Sequence, residues 1–183
     1  MEMLPLLPNA SFHLFEPHPN HTRELAALCA ARPNLRFHDY GLGDSDSARE
    51  LTLHGGQSSL LTSTQWQSDK ASISVRRADA VVGHDGVTPP GLIKVDIQGA
   101  ELMFLAGAQR VLSDCPFLLI EVSWLRLYDE APYAEEVLQA TSALGFHVYD
   151  ICTYSQRRKD ARLAQSDLLL AHTKTGLFDD VGW

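Results

Sequence analysis

The sequence predicts an α/β fold: a doubly wound, mostly parallel sheet with an antiparallel C-terminal edge. Three observations predict it. Short apolar runs alternate along the chain with stretches whose apolar residues recur at helical spacing. At Pro90-Gly91-Leu92-Ile93-Lys94-Val95-Asp96-Ile97-Gln98-Gly99-Ala100-Glu101-Leu102 one such run passes straight into a helix, as strands of parallel sheets do. The last two runs, Phe146 to Ile151 and Leu168 to Ala171, are joined by a basic loop that suits an antiparallel pair at a sheet edge.

Ser11-Phe12-His13-Leu14-Phe15 is the first strand, closed by Glu16-Pro17 because proline forces the residue before it out of helical geometry. Asn20 caps a helix that runs to about Arg32, with Leu25, Leu28 and Cys29 on one face and Pro33 and Asn34 beyond its end. Leu35 to Tyr40 is the next strand. In Gly41-Leu42-Gly43-Asp44 the glycines supply the positive φ of a tight loop, without the length or context of a dinucleotide loop. From Ser45 to Pro90 only Leu51 to Leu53 and Ile73 to Val75 read as extended, so this region is a β-hairpin excursion. Ser58 and Ser59 lack the surroundings of a nucleophile elbow, and Asp79 reads as structural.

Leu92, Ile93 and Val95 make the central strand, buried on both faces, with Lys94 snorkelling or paired. Leu102, Leu105, Ala108 and Leu112 then line one helix face. Phe117 to Val122 is another buried strand. Pro132 to Leu144 is a helix with Ala134, Val137, Leu138 and Thr141 inward, stopped by Gly145.

A length of 183 residues suits a single domain spanning 1–183, and 45% hydrophobic with 21% charged residues excludes a disordered or fibrous chain. No apolar run is long enough for a bilayer. Met1 to Pro8 lacks the basic flank and cleavage site of a secretory signal, which points to a cytoplasmic protein with no membrane partner. Cys29, Cys115 and Cys152 are widely separated and odd in number, so neither a disulfide framework nor a thiolate zinc site is expected. A net charge of -8 and a pI near 5.4 argue against a nucleic-acid partner, because neutralising phosphates needs clustered Lys and Arg. Arg157-Arg158-Lys159 is the basic cluster, and such a trio suits a solvated loop.

Glu16, Asp96 and Glu121 all stand at strand ends. Ligands of open α/β sheets bind outside the carboxyl ends of the strands, so the three acids can line one crevice. A carboxylate at Glu16 can accept hydrogen bonds from a ribose diol, one hydroxyl per oxygen. Asp96 can take a proton from an attacking hydroxyl, and Glu121 can orient either partner. A structural reading competes, in which Asp96 caps the helix and Glu101 complements its N-terminal dipole. In His18-Pro19-Asn20-His21 the proline breaks the helical face of a zinc-protease pattern, and His13, His38 and His147 read as core residues, so no metal site is assigned. Trp66, Trp124 and Trp183 are candidate walls of a substrate pocket.

Taken in order, Phe15-Glu16-Pro17 with Pro19, Gly41-Leu42-Gly43-Asp44, Lys94-Val95-Asp96-Ile97-Gln98-Gly99-Ala100-Glu101, Leu105-Ala106-Gly107-Ala108, Ile120-Glu121-Val122, Gly145-Phe146 and Gln165-Ser166-Asp167-Leu168 resemble the FkbM-type methyltransferases. The resemblance runs from about Leu4 to Thr173 and implies a class I methyltransferase fold with S-adenosylmethionine as cofactor. It implies that Glu16, with Pro17 beside it, binds the donor's ribose, that Gly43 and Asp44 lie near its adenine end, and that Asp96 belongs to the cofactor-binding set and faces the reacting centre. Glu101 and Glu121 would complete the catalytic set, without a metal.

The implied reaction is methylation of a hydroxyl on a small sugar-like or polyketide-like acceptor. The family's first strand and glycine-rich turn have no counterpart here, and Met1 to Pro8 resembles the tail of the helix that follows that turn. The chain is then a shortened piece, a protein that recruits a second copy and forms a homo-oligomer, or a degenerate relative that no longer binds the donor. A metal-dependent hydrolase is a separate class, for which the sequence assembles no ligand set.

Overall fold

The computed structural model of the protein describes residues 7–54, 57–63, 68–84, 86–180 and 182. Trp66, Trp183 and the first six residues of the Met1 to Pro8 stretch lie outside them. The chain opens with a strand-helix-strand unit: β1 (Phe12–Phe15), α1 (Pro19–Ala30) and β2 (Leu35–His38), the two strands pairing in parallel. Pro19 takes the first helical position, where its missing N–H is no loss. The cap is therefore His18, not Asn20: the His18 Nδ1 accepts the Asn20 N–H at 3.1 Å. Leu25, Leu28 and Cys29 share a half-buried face as their spacing predicts, but no residue of α1 is fully buried.

The hairpin excursion is a three-stranded sheet. β3 (Gly41–Gly43) pairs in parallel with β5 (Lys70–Arg77), whose other edge pairs antiparallel with β4 (Ser47–Thr52). Gly41 and Gly43 are strand residues with negative φ, so the expected tight loop is corrected. Gly43 is small because of packing, since a Cβ there would stand 2.8 Å from the Val75 Cγ1.

A short helix α2 (Ala78–Val81) leads to β6 (Leu92–Val95), α3 (Glu101–Gly107), α4 (Gln109–Asp114), β7 (Phe117–Ser123), α5 (Ala134–Ala143), β8 (Phe146–Gln156) and β9 (Leu163–His172). The helix read through Leu112 is thus two helices with a break at Ala108, where φ is -120°. Leu102 points outward, while Phe104, Leu105, Ala108, Val111 and Leu112 are buried. Asp79 is structural as expected, because its carboxylate caps α4 by accepting the N–H groups of Arg110 and Val111 at 3.1 and 2.9 Å.

The last four strands form one sheet in the order β6-β7-β9-β8, in which only β6 and β7 are parallel. The fold is accordingly mixed α/β. The antiparallel C-terminal edge is present, but the strands lie in three separate sheets, one parallel and two of mixed direction, in place of one mostly parallel sheet. Direction follows from connection length: the short basic loop turns β8 back into β9, and β9 docks beside β7 against its direction.

One face of this sheet carries the main core. Leu118, Ile120 and Val122 of β7 and Leu168 and Leu170 of β9 pack with Phe104 and Leu105 of α3 and Ala134 and Val137 of α5. On the opposite face Phe117, Leu119 and Glu121 are half-buried and Lys94 is exposed, so β6 and β7 are not covered on both sides as expected. No helix among the described residues is long and apolar enough to cross a membrane.

Among the described glycines the closest approach is between α3 and β3, where a Cβ on Gly107 would land on the carbonyl oxygen of Gly43. Gly107→Ala is expected to lower the unfolding free energy by about 2 kcal/mol despite the better helix propensity of alanine. Urea denaturation measures this, and a variant as stable as the native chain would show that α3 does not seat against β3.

Candidate active site

The register of the four-stranded sheet sets charged side chains in a row on its uncovered face. Val95 of β6 pairs with Ile120 of β7, and one step further along the same register Asp96 comes alongside Glu121. Glu121 pairs directly with Asp167 of β9, which in turn pairs with Thr153 of β8. Three carboxylates thus lie across neighbouring strands, an arrangement that repels itself unless donors are interleaved. They are. Lys94 Nζ donates to Asp96 Oδ2 at 2.7 Å, Gln98 Nε2 to Asp96 Oδ1 at 3.0 Å and to Glu121 Oε2 at 2.8 Å, Gln165 Nε2 to the same Glu121 oxygen at 2.8 Å, and Thr153 Oγ1 to Asp167 Oδ2 at 2.7 Å.

Burial, with the charges of Asp96 and Asp167, pushes the Glu121 carboxyl up from 4.5 to about 7, against the pull of Gln98 and Lys94. Burial works to lower Lys94, but the hydrogen bond and charge of Asp96, helped by Asp167 and Glu121, raise it overall. Glu101 is 5% exposed, and burial raises its carboxyl although the Gly99 N–H donates to its Oε1 at 2.9 Å. That contact closes the turn between β6 and α3. Tyr128, in the loop after β7, is buried and pushed up to about 12 by burial and by the charges of Glu121 and Glu101, and its hydroxyl donates to the Gln57 carbonyl.

Of the residues singled out in the sequence, Asp96, Glu101 and Glu121 come together here. Glu16 and Pro17 follow β1: Glu16 Oε1 accepts the His18 N–H at 2.8 Å, its Oε2 faces His21 Nδ1 at 3.6 Å, and Pro17 lies against Gly41. Asp44 accepts from Arg49 at 2.7 Å and follows Gly43, beside the C-terminal end of α3. No hydrogen bond or ion pair among the described residues joins these four to the Asp96 row. Ser59 is 1% exposed and braces the turn after β6 by donating to the Gln98 carbonyl at 2.6 Å.

His13 and His38 are hydrogen-bonded to each other at 3.0 Å, and burial, then Arg36, lowers the pKa of His13. His147 is exposed, which corrects its reading as a core residue: it lies on β8, whose residues beyond Phe146 are all exposed. Trp124 does wall a hollow, an open one of about 540 Å³ shared with Arg126, Tyr133 and Arg162, and its indole N–H is held by Ser166 at 2.9 Å. A second hollow of about 650 Å³ lies by Thr52 and Lys70. Neither is lined by Asp96 or Glu121; Asp96 is exposed and Glu121 half-buried. Among the described residues no group of three or more His, Cys, Asp or Glu is placed to hold a metal ion.

A family model described as the methyltransferase FkbM domain matches residues 6–148. The chain belongs to the FkbM methyltransferase family. Its fold is similar to the crystal structure of methyltransferase FkbM from Methylobacillus flagellatus KT, at 16% identity and a TM-score of 0.56, over 93% of this chain. The match covers 39% of that longer protein. No curated protein matches the sequence.

Within this FkbM domain the matched span contains Asp96, Gln98, Glu101 and Glu121, whereas Thr153, Gln165 and Asp167 come from strand segments beyond it. Sequence reading missed Gln98 and Gln165 as site residues, because amides carry no charge and their role depends on which carboxylates the fold brings near. The alternation of Asp167 with the buried Ser166 and Leu168 is the one signal that marks it as facing away from the core.

The raised pKa of Glu121 has a consequence for stability. Between 4.5 and about 7 the folded chain holds a proton there that the unfolded chain has released, so stability falls as pH rises through that window. Discounted for solvent screening, the loss is about 1–2 kcal/mol. Glu121→Gln is expected to lack this slope and to gain on the native chain by about that amount at pH 8 relative to pH 4. Urea titrations at both pH values test it, and an equal difference at both would rule out a raised pKa at Glu121.

Proposed function

We propose that this FkbM domain is an S-adenosylmethionine-dependent methyltransferase that methylates a hydroxyl on a small sugar-like or polyketide-like acceptor. The observation that carries the reading is the pair Asp96 and Glu121, held side by side at the carboxyl ends of adjacent parallel strands, where α/β folds bind ligands. Family membership supports the reaction class.

Glu16 fits the ribose role. It sits where β1 ends, and among the described residues one oxygen is engaged by a single backbone N–H and the other faces the His21 ring at 3.6 Å, which leaves acceptor capacity for a diol. The donor supplies an electrophilic methyl group on a sulfonium. For their part, Asp96 and Glu121 position the acceptor's hydroxyl and take its proton as the oxygen attacks. Glu121, ionising near neutrality, is matched to proton removal, because a general base works best with a pKa near the operating pH. Asp96, held by Lys94 and Gln98, orients the hydroxyl and keeps negative charge beside it. Alignment of the reacting groups supplies most of the rate, with no covalent intermediate on the protein.

Calorimetric titration with S-adenosylmethionine is expected to give heat with the native chain and none with Glu16→Ala. Asp96→Asn and Glu121→Gln are expected to keep donor binding and to lower methyl transfer by about 100-fold or more. Silence from the native chain at millimolar donor would overturn the reading.

A further inference from the structure

The turn after β6 is held in an unusual backbone state. Gln98 and Gly99 are both left-handed, with φ of +49° and +95°. Glycine adopts that region freely, but a glutamine there is strained and persists only when its surroundings insist. Here they do. The Ser59 hydroxyl, fully buried, donates to the Gln98 carbonyl at 2.6 Å and accepts the Leu61 N–H at 3.0 Å, while Glu101 holds the Gly99 N–H. The one other non-glycine residue with positive φ among the described residues, Ala161, is in the exposed turn between β8 and β9.

The left-handed turn aims the Gln98 side chain back across the sheet, where its NH2 group donates to Asp96 and Glu121 together. Chemistry fixes the amide's orientation, because the flipped form would press its oxygen against two carboxylate oxygens. Glu121 is faced by Asp96 and Gln98 from the turn, Lys94 from β6, Gln165 and Asp167 from β9, and Tyr128 from the loop after β7. Of these, Gln98 alone bonds both members of the proposed reacting pair.

We propose that Gln98 is a positioning residue: one carboxamide clamps Asp96 to Glu121 and holds the two carboxylates at a fixed spacing. The inference rests on the proposed methyl-transfer reading for its purpose, but the clamp has a test of its own.

Gln98→Met keeps the side-chain volume and removes both N–H groups. Carbon NMR of labelled glutamate carboxyls, with the Glu121 signal assigned by its loss in Glu121→Gln, follows that group's titration without any ligand. The Glu121 midpoint is expected to rise by about one pH unit, because a donor to the charged form is lost. In methyl-transfer assays kcat is expected to fall about tenfold or more with the KM for the donor unchanged, as for loss of an interaction made at the reacting centre. A midpoint that stays at its native value overturns the clamp. Should Gln98→Met not fold, Gln98→Gly, whose backbone is at ease at this φ, carries the same test with the same two outcomes. A shifted midpoint in a protein without methyl transfer would uphold the clamp and remove its assigned purpose.

Discussion

Repulsion among three carboxylates in one row across a sheet is the constraint on which the site depends. Asp96, Glu121 and Asp167 are brought together by register, and like charges on adjacent strands destabilise the sheet that carries them. The chain answers by interleaving donors, an ammonium at Lys94, two amides at Gln98 and Gln165, and a hydroxyl at Thr153. At the centre of the row, burial first and the charges of Asp96 and Asp167 second push the Glu121 carboxyl up to about 7, so protonation as well as hydrogen bonding eases the row. A group poised in this way is what proton transfer at neutral pH requires.

The rest of the fold keeps that row in place. Helices α3 and α5 bury one face of the sheet and leave the other for the polar groups, so the core and the site share the same strands with alternate residues assigned to each. The excursion between β2 and β6 also takes part. Its Ser59 reaches the turn after β6, and Leu61 packs where Gly99 has no side chain, with the Ala131 methyl on the other side. A Cβ at Gly99 would stand 3.0 Å from Leu61 and 3.2 Å from Ala131, and the backbone there has positive φ, so glycine is required on both counts. The excursion is thus a brace for the central turn as well as a separate small sheet.

Residue pattern alone located most of the elements, and failed where spacing and geometry part company. Gly41 and Gly43 read as a loop because glycine usually signals backbone freedom, yet here it signals close approach of β5 and α3. The apolar spacing from Leu102 to Leu112 reads as one helix, but the chain breaks at Ala108 into two, and in the first of them Leu102 faces out and Phe104 faces in. The helix cap at His18 was hidden by Asn20, a better capper in the wrong place once Pro19 claims the first helical position. In each case a local preference yielded to a neighbour that only the folded chain supplies.

From the sequence by itself came the α/β class, the strand-turn-helix at Asp96, the carboxylates at strand ends and the family resemblance, because apolar periodicity and strand-end chemistry are local properties of the chain. The tertiary structure alone decided that the strands fall into three separate sheets, that no hydrogen bond or ion pair among the described residues ties Glu16 or Asp44 to the Asp96 row, and that Gln98, Gln165, Asp167 and Thr153 belong to it. Those outcomes depend on which strands become neighbours and in what register. Pairing between strands far apart in sequence, such as Glu121 with Asp167, is fixed by how β9 docks against β7, and no local pattern encodes that choice.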